Sequence, residues 1–161
     1  MLSCDIAITR PFGRKVDRKW LRRVAQEVCT AEGVDYPAAL SVAITDDETV
    51  RQLNRHWRGI DRTTDVLSFS FQEGNASFHP PPDGITQLGE IVISLPQAQR
   101  QAERMGHPLK SEITILLIHG MLHLLGYDHR KPAERKKMRA REGSIRAQLM
   151  EGNTDEERTD H

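Results

Sequence analysis

The stretch LKSEITILLIHGMLHLLGYDH, residues 109–129, decides how the rest of the chain is interpreted. Its most apolar part, Ile113 to Leu125, is too short to cross a bilayer and contains two histidines. Gly126 follows directly, where glycine commonly ends a helix. The stretch therefore predicts a buried helix from about Leu109 to Leu125.

The segments on both sides of this helix predict an α+β domain. Alternating or β-branched residues indicate strands at Cys4–Thr9, Leu40–Thr45, Val66–Phe71 and Leu88–Leu95. Capping residues and helical spacing indicate further helices from Asp17 to Glu32, from Asp46 or Asp47 to Trp57, from Pro96 to Arg104 and from Pro132 to Met150. Four strands and about five helices in the order βαβαββααα give a single domain with a mixed sheet. Gln72 to Gln87, with three consecutive prolines, is expected to be irregular.

The charge of the chain is unevenly distributed. The 161 residues carry 23 basic and 23 acidic side chains, so the formal net charge is zero. Residues 130–150 hold eight basic and two acidic side chains, whereas 151–161 hold one basic and five acidic. We therefore predict one domain over residues 1–150 and an acidic, frayed tail over 151–161.

The composition indicates a folded protein of the reducing cytoplasm. Hydrophobic residues make up 37% and charged residues 29%, a balance typical of a globular domain. Two cysteines are too few for a disulfide framework. Because no N-terminal stretch has the pattern of a secretion signal, we expect a cytoplasmic protein without a membrane segment.

Three histidines in the central stretch have the spacing of metal ligands. His119 and His123 lie four residues apart, so both imidazoles leave the same face of a helix. A turn at Gly126 lets the chain double back and bring His129 to the same cation. Three protein ligands leave a fourth position for water or substrate, as in catalytic zinc sites. The alternative, ordinary histidines on a partly buried helix, fits poorly with so apolar a segment.

The same spacing occurs in metzincin zinc peptidases, so a peptidase is a competing hypothesis. Those enzymes place a glutamate directly after the first histidine as the general base. Here that position is Gly120, which cannot accept a proton. The next methionine, Met138, lies in a charged helical pattern and does not indicate a methionine turn. The sequence therefore offers the geometry of these peptidases without their base.

At these residues the chain resembles the YbeY family of bacterial endoribonucleases and ribosomal-RNA maturation factors. The run from His119 to His129 matches the family signature at every fixed position. Two further blocks match: Leu53-Asn54 through Arg58 with Thr64–Phe69, and Leu88–Ser94. Two positions depart mildly: Glu90 stands where aspartate is more frequent, and Ser70 where proline is common.

The resemblance implies a single-strand-specific, metal-dependent endoribonuclease. Its role would be maturation of the 3′ end of small-subunit ribosomal RNA and late ribosome quality control. Its zinc ligands would be His119, His123 and His129, holding one Zn²⁺ per chain, with Ni²⁺ or another divalent metal as alternatives. Arg58 corresponds to an arginine important for activity. The implied partners are single-stranded RNA, the small ribosomal subunit and its assembly proteins.

The chemistry of these residues is compatible with RNA cleavage. A divalent metal lowers the pKa of water toward about 7 and polarises phosphoryl oxygens. The Arg58 guanidinium suits a phosphate, although an arginine at that place also suits a helix C-terminus. Asp128 could orient a ligand imidazole, or it could simply be a loop carboxylate that borders the turn. Glu112 is a weaker candidate for that role and is better explained as a charge in the first turn of its helix. No residue stands out as a general base.

Two surfaces are open to more than one interpretation. The basic residues Arg130, Lys131, Arg135, Lys136, Lys137, Arg139, Arg141 and Arg146 predict either a phosphate-binding face or a solvated helix face. Phe69 and Phe71 are expected to share one face of a strand and pack in the core. That strand could also offer its edge to an extended RNA. A non-catalytic ribosome assembly factor, with the metal only fixing the loop of His129, is the remaining alternative.

Overall fold

The central sheet and its helices follow the predicted order. A computed structural model describes residues 2–71, 83–127 and 130–159, with side chains described as far as residue 150. The strands are β1 (Leu2–Ile8), β2 (Ala38–Thr45), β3 (Val66–Ser70) and β4 (Thr86–Ser94). The helices are α1 (Arg18–Ala31), α2 (Asp47–Arg58), α3 (Leu95–Met105), α4 (Leu109–Leu124) and α5 (Pro132–Thr159). A short 3₁₀ helix, Phe12–Lys15, precedes α1.

The predicted capping residues begin their helices. The Asp17 carboxylate accepts a hydrogen bond from the Trp20 amide at 3.1 Å, and Asp46 accepts one from the Thr49 amide at 2.7 Å. The hydrogen bond from the backbone amide of Thr49 lowers the pKa of Asp46 below its ordinary value. Between the two candidates for the start of α2, the structure therefore selects Asp46 as the cap.

The last helix is longer than the sequence indicated. We expected it to end near Met150, but the backbone stays helical to Thr159. The added residues contain no proline, and several are glutamates, which favour helices. The division into a domain over 1–150 and an acidic tail over 151–161 stays a prediction.

The sheet is mixed, as predicted, with the strands in the order β1-β2-β4-β3. β2 pairs with β1 and with β4 in parallel, whereas β3 runs antiparallel to β4. Parallel neighbours need a crossover, which α1 supplies between β1 and β2. Among the strands of the described residues, β3 is the last in this order, beyond β4.

Successive residues of the sheet pack against different helices because side chains alternate between the faces. Ile44, Ile91 and Ile93 belong to the main core with α1, α3, α4 and α5. Leu67 and Val92 instead pack with Val50 of α2, so α2 covers the opposite face. Helix α4 carries apolar residues around most of its circumference because it packs against α1, α3, α5, β3 and β4. No described helix has the length and apolar character that crossing a membrane requires.

Glycine is required where β4 meets the end of α4. The pairing of β4 with β2 is irregular here, since Ala39 pairs with Gln87 and Leu40 with Gly89. Gly89 has a φ of 152°, and a Cβ there would collide with the carbonyl oxygen of Phe69 and lie 2.9 Å from Leu124 Cδ2. Only glycine lets the helix that carries the histidines approach the β3–β4 pair this closely.

One expectation about the aromatic residues of the predicted strand Val66–Phe71 was wrong. Phe69 packs beside the cluster of Val50, Leu67 and Val92, as expected. Phe71, two residues further on, is 51% exposed. Helix α2, which covers this face, ends at Arg58 near Phe69 and does not extend over Phe71.

Candidate metal centre

Two of the predicted ligands lie together on α4. The ring centroids of His119 and His123 are 4.8 Å apart, with an angle of 79° between the ring planes. The four-residue spacing brings them together, since residues one turn apart on a helix are neighbours on its surface. The His119 side chain keeps one third of its surface exposed, so this part of the apolar helix opens to solvent.

A carboxylate from α5 orients the first histidine. Glu142 Oε1 lies 2.8 Å from His119 Nδ1, and the Glu142 side chain is largely buried. With Nδ1 bound to this carboxylate, Nε2 is the ring nitrogen through which His119 would bind a metal. Carboxylate–histidine pairs of this kind fix the ligand ring and raise its basicity. Sequence reasoning missed Glu142, because 23 residues and a turn separate it from His119.

The other predicted residues of the loop, Asp128 and His129, lie outside the described residues. Among the residues described, no group of three histidine, cysteine, aspartate or glutamate side chains is arranged to hold a metal. The three-histidine site therefore stays a prediction. The donors that are described fit a divalent cation, since two adjacent imidazoles, one of them carboxylate-bound, are ligands that Zn²⁺ accepts.

The chain is fixed just before this loop. The Tyr127 hydroxyl donates to Glu32 Oε2 at 2.9 Å, and Arg141 Nε donates to Glu32 Oε1 at 2.7 Å. Burial, together with the hydrogen bond to Glu32, raises the pKa of Tyr127. These contacts join α1, the end of α4 and α5 two residues before His129.

Arg58 reaches the same region through a serine of β3. Its Nη2 donates to the Ser68 carbonyl oxygen at 2.9 Å, and its guanidinium carbon lies 5.9 Å from the centre of the Phe69 ring. The Ser68 hydroxyl in turn donates to the Gly120 carbonyl oxygen at 3.4 Å. One residue of the edge strand therefore connects Arg58 to the helical turn that contains His119. The residue pattern of β3 predicted a strand but gave no reason to expect that Ser68 contacts the candidate site.

Gly120 faces the sheet. A Cβ at this position would lie 3.0 Å from Ser68 Oγ and 3.2 Å from two carbons of Ile91. A glutamate here, where metzincins have their base, would point into the packed contact between α4 and the sheet. The structure thus adds a steric argument against peptidase chemistry to the chemical one.

Glu112 belongs to a different contact. Its carboxylate accepts a hydrogen bond from Gln101 Nε2 at 2.9 Å, and its other oxygen lies 2.5 Å from His107 Nε2. Seven residues of helix separate it from His119, a rise of about 10 Å. Of the two interpretations of Glu112, the structure supports the acidic residue of the first helical turn. Its partners are on α3 and in the α3–α4 turn, so it does not orient a ligand imidazole.

The basic residues of the last helix are mostly exposed, with one exception. Met138, Ile145 and Leu149 bury one side of α5 in the core, which turns the other side to solvent. Arg141 lies on the buried flank, where its hydrogen bond to Glu32 raises its pKa and a second donates to the Ala31 carbonyl. Arg141 is thus engaged within the fold rather than in an open basic face.

Comparison with known proteins assigns the chain to a family. The family profile described as endoribonuclease YbeY matches residues 9–150. The chain belongs to the YbeY endoribonuclease family. The resemblance inferred from the sequence is thereby confirmed, and the members of this family are named endoribonucleases.

Individual members of the family cover most of the chain. Endoribonuclease YbeY of Dehalococcoides mccartyi is 40% identical over 146 residues, which is 86% of this chain and 88% of that protein. The Pelotomaculum thermopropionicum protein of the same name is 47% identical over 131 residues, 80% of this chain and 84% of its own. The solution structure of a Thermotoga maritima protein, 21% identical, has a TM-score of 0.62 over 97% of this chain and 93% of that one. That structure supports the α+β fold.

Proposed function

We propose that this protein is a metal-dependent endoribonuclease that cleaves single-stranded RNA. Its substrate would be the 3′ end of small-subunit ribosomal RNA, with a further role in late ribosome quality control. The observation that carries the proposal is the pair of imidazoles on α4, with Glu142 holding His119 through Nδ1. Membership of the YbeY family gives the substrate class.

His119, His123 and His129 would hold one Zn²⁺, Ni²⁺ or related divalent ion per chain. When bound, such an ion supplies a Lewis acid for a phosphoryl oxygen and a more acidic water. Glu142 would keep the His119 ring in the orientation that binding requires. Tyr127, held by Glu32, would fix the start of the loop that brings His129 to the ion.

Arg58 would bind the phosphate of the nucleotide to be cleaved. A guanidinium has five N–H donors in one plane, and the hydrogen bond to Ser68 uses one of its two terminal nitrogens. The remaining N–H groups of the guanidinium can pair with phosphate oxygens and stabilise the negative charge that develops on these oxygens. The exposed basic residues of α5 would contact the RNA backbone or the small ribosomal subunit, in the cytoplasm where ribosomes assemble.

The test is cleavage of a single-stranded RNA by purified protein, with metal content measured in parallel. The wild type should carry about one metal per chain, and chelator should abolish cleavage. His123→Ala should lose both metal and cleavage, while its circular dichroism stays that of a folded protein. Wild-type protein stripped of metal and reloaded with Zn²⁺ is the control. Cleavage by metal-free His123→Ala would contradict the proposal.

The non-catalytic assembly factor is distinguished by a variant that keeps the metal. Arg58→Ala should keep its metal and lose about 100-fold in cleavage rate, the usual effect of removing one charge-stabilising donor. Arg58→Lys keeps the positive charge without the paired donors, so its cleavage rate should lie between those of the wild type and Arg58→Ala. Unimpaired ribosome maturation in Arg58→Ala, with no nuclease activity in either protein, would favour the assembly factor.

A further inference from the structure

The end of α2 exposes a large aromatic side chain beside the edge strand. Residues 55–60, which finish the helix and its turn, are all exposed. Trp57 has 65% of its surface open to solvent, the largest exposed aromatic in the described part of the chain. Burying the indole ring against a ligand would remove apolar surface from water and so contribute favourably to binding.

Trp57 is held in place although it is exposed. Its ring makes edge contacts with Phe69 of β3, at a centroid distance of 6.3 Å, and with His56, at 4.7 Å. Contacts of this kind limit the rotation of the indole and leave much of its surface accessible. A ring that is already ordered loses little conformational entropy when a ligand stacks on it.

The charges around Trp57 fit a polyanion. Arg55 and Arg58 flank it in sequence, and Arg62 follows in the next turn, all three exposed. Asp61, the acidic residue among them, is paired with Arg51 at 2.9 Å. An apolar protein surface would gain nothing from these cations, whereas a nucleic-acid backbone would.

Phe69 brings Trp57 and Arg58 together. The ring of Phe69 contacts the Trp57 indole and also lies 5.9 Å from the Arg58 guanidinium carbon. The Trp57 ring and a guanidinium that can bind phosphate therefore both lie beside Phe69 of β3. A nucleotide has the two complementary groups, a flat base that can stack on the indole and a phosphate that can bind the guanidinium.

We propose that Trp57 is a stacking site for a base of single-stranded RNA, whose neighbouring phosphate binds Arg58. The proposal rests on the proposed function and adds to it a residue that binds the base. Stacking on an indole does not depend on base identity, so the site would accept any sequence. It would require an unpaired strand, because a base within a duplex is already stacked on its neighbours.

Fluorescence tests this directly because the chain has two tryptophans. Trp20 lies on α1, where its indole nitrogen donates to Thr114 Oγ1 at 2.8 Å, so Trp20→Phe leaves Trp57 as the sole reporter. A single-stranded RNA of about 12 nucleotides should quench Trp57 in this variant of the metal-loaded protein. An abasic strand of the same length carries the same phosphates and should not quench it. Equal effects of the two strands would overturn the proposal.

Affinity measurements with two variants of Trp57 give a second test. Trp57→Leu should bind the RNA about tenfold more weakly, within the range for loss of one stacked base. Trp57→Phe keeps an aromatic face and should retain most of the affinity. Wild-type affinity in Trp57→Leu would overturn the proposal and leave the exposed ring as a protein-docking surface.

The two proposals can fail separately. Metal-dependent cleavage by the wild type without quenching of Trp57 would remove the stacking site and keep the nuclease. Quenching by the RNA but not by the abasic strand, in a protein that cleaves no RNA, would keep the stacking site and remove the nuclease.

Discussion

At the scale of single residues, the imidazole of His119 is held from outside its own helix. Glu142 reaches it from α5, and the backbone of the adjacent Gly120 is bound by Ser68 from β3. Sequence spacing predicted the histidines because residues four apart on a helix are neighbours. It could not predict Glu142 or Ser68, because their contacts depend on how three elements pack.

The contact between Glu142 and His119 predicts the metal affinity of one variant. Glu142→Gln keeps an oxygen that can accept from Nδ1 but removes the charge that makes the ring a better ligand. We expect the metal to bind about 10- to 100-fold more weakly, as measured by competition with a chelating dye. Glu134→Gln, the same change on the same helix, is the control. Equal metal affinity in the two variants would contradict a positioning role for Glu142.

Gly120 and Gly143 form a matched pair for measuring the contact between α4 and the sheet. Both lie within helices, but a Cβ at Gly120 meets Ser68 and Ile91, whereas one at Gly143 meets nothing within 4 Å. Gly143→Ala should raise the free energy of unfolding by about 1 kcal/mol through helix propensity alone. Gly120→Ala should leave the protein about 1–3 kcal/mol less stable than Gly143→Ala, since overpacking against Ser68 and Ile91 offsets the gain in helix propensity. Denaturant unfolding measures both, and two variants of equal stability would contradict this packing.

At the scale of elements, local signals predicted both bounds of α1, α2, α3 and α4 to within about one residue and missed the end of α5. Asp17, and either Asp46 or Asp47, were predicted as caps because a short acidic side chain before a helical pattern satisfies amides of the first turn. The end of α5 was missed because its composition changes from basic to acidic without a residue that stops a helix. The exposure of Phe71 was missed because it depends on where another element, α2, ends.

The cap of α2 predicts a stability that depends on pH. Asp46→Ala should lower the free energy of unfolding by about 1 kcal/mol at neutral pH. Because folding lowers the pKa of Asp46, its charge stabilises the protein above its ordinary pKa of about 3.9. This stabilisation is lost as the pH falls through the lowered value. Unfolding of wild type and variant at several pH values should show the difference shrinking in acid.

Asp46→Asn is the control for that experiment. Asparagine keeps an oxygen for the Thr49 amide and is an equally good cap, but it does not titrate. Its stability should match the wild type at neutral pH and should not show the acid loss that comes from Asp46. A difference between wild type and Asp46→Ala that stays constant into acid would contradict the predicted pKa shift.

At the scale of the whole molecule, the order of the strands determines what surrounds α4. The element order predicted an α+β domain, but it could not give the order β1-β2-β4-β3, since several crossovers are compatible with it. That order places β3 beside α4 and α2 on the other face, and so brings Arg58 and His119 to either side of Ser68. The relation of Arg58 to the candidate site depends on this topology.

The hydrogen bonds of Glu32 connect distant parts of the chain and should contribute to the free energy of unfolding. It joins α1 to Tyr127 and Arg141, and bonds of this kind to a charged group contribute about 1.5–3 kcal/mol. Glu32→Gln should lower the free energy of unfolding by an amount of this order, measured by denaturant. Glu27→Gln on the same helix is the control. Equal stability of the two variants would show that these contacts do not hold α5 to α1.

We expect the hydrogen bond from Arg58 to the Ser68 carbonyl also to protect β3 against pairing with another molecule. An edge strand with open carbonyls can pair with a strand of another molecule, and a charged side chain across it prevents this. Arg58→Ala removes this protection of β3 at the same time as it removes the guanidinium that would bind the phosphate. A slow Arg58→Ala enzyme could therefore owe part of its defect to self-association, and sedimentation of the variant separates aggregation from lost catalysis.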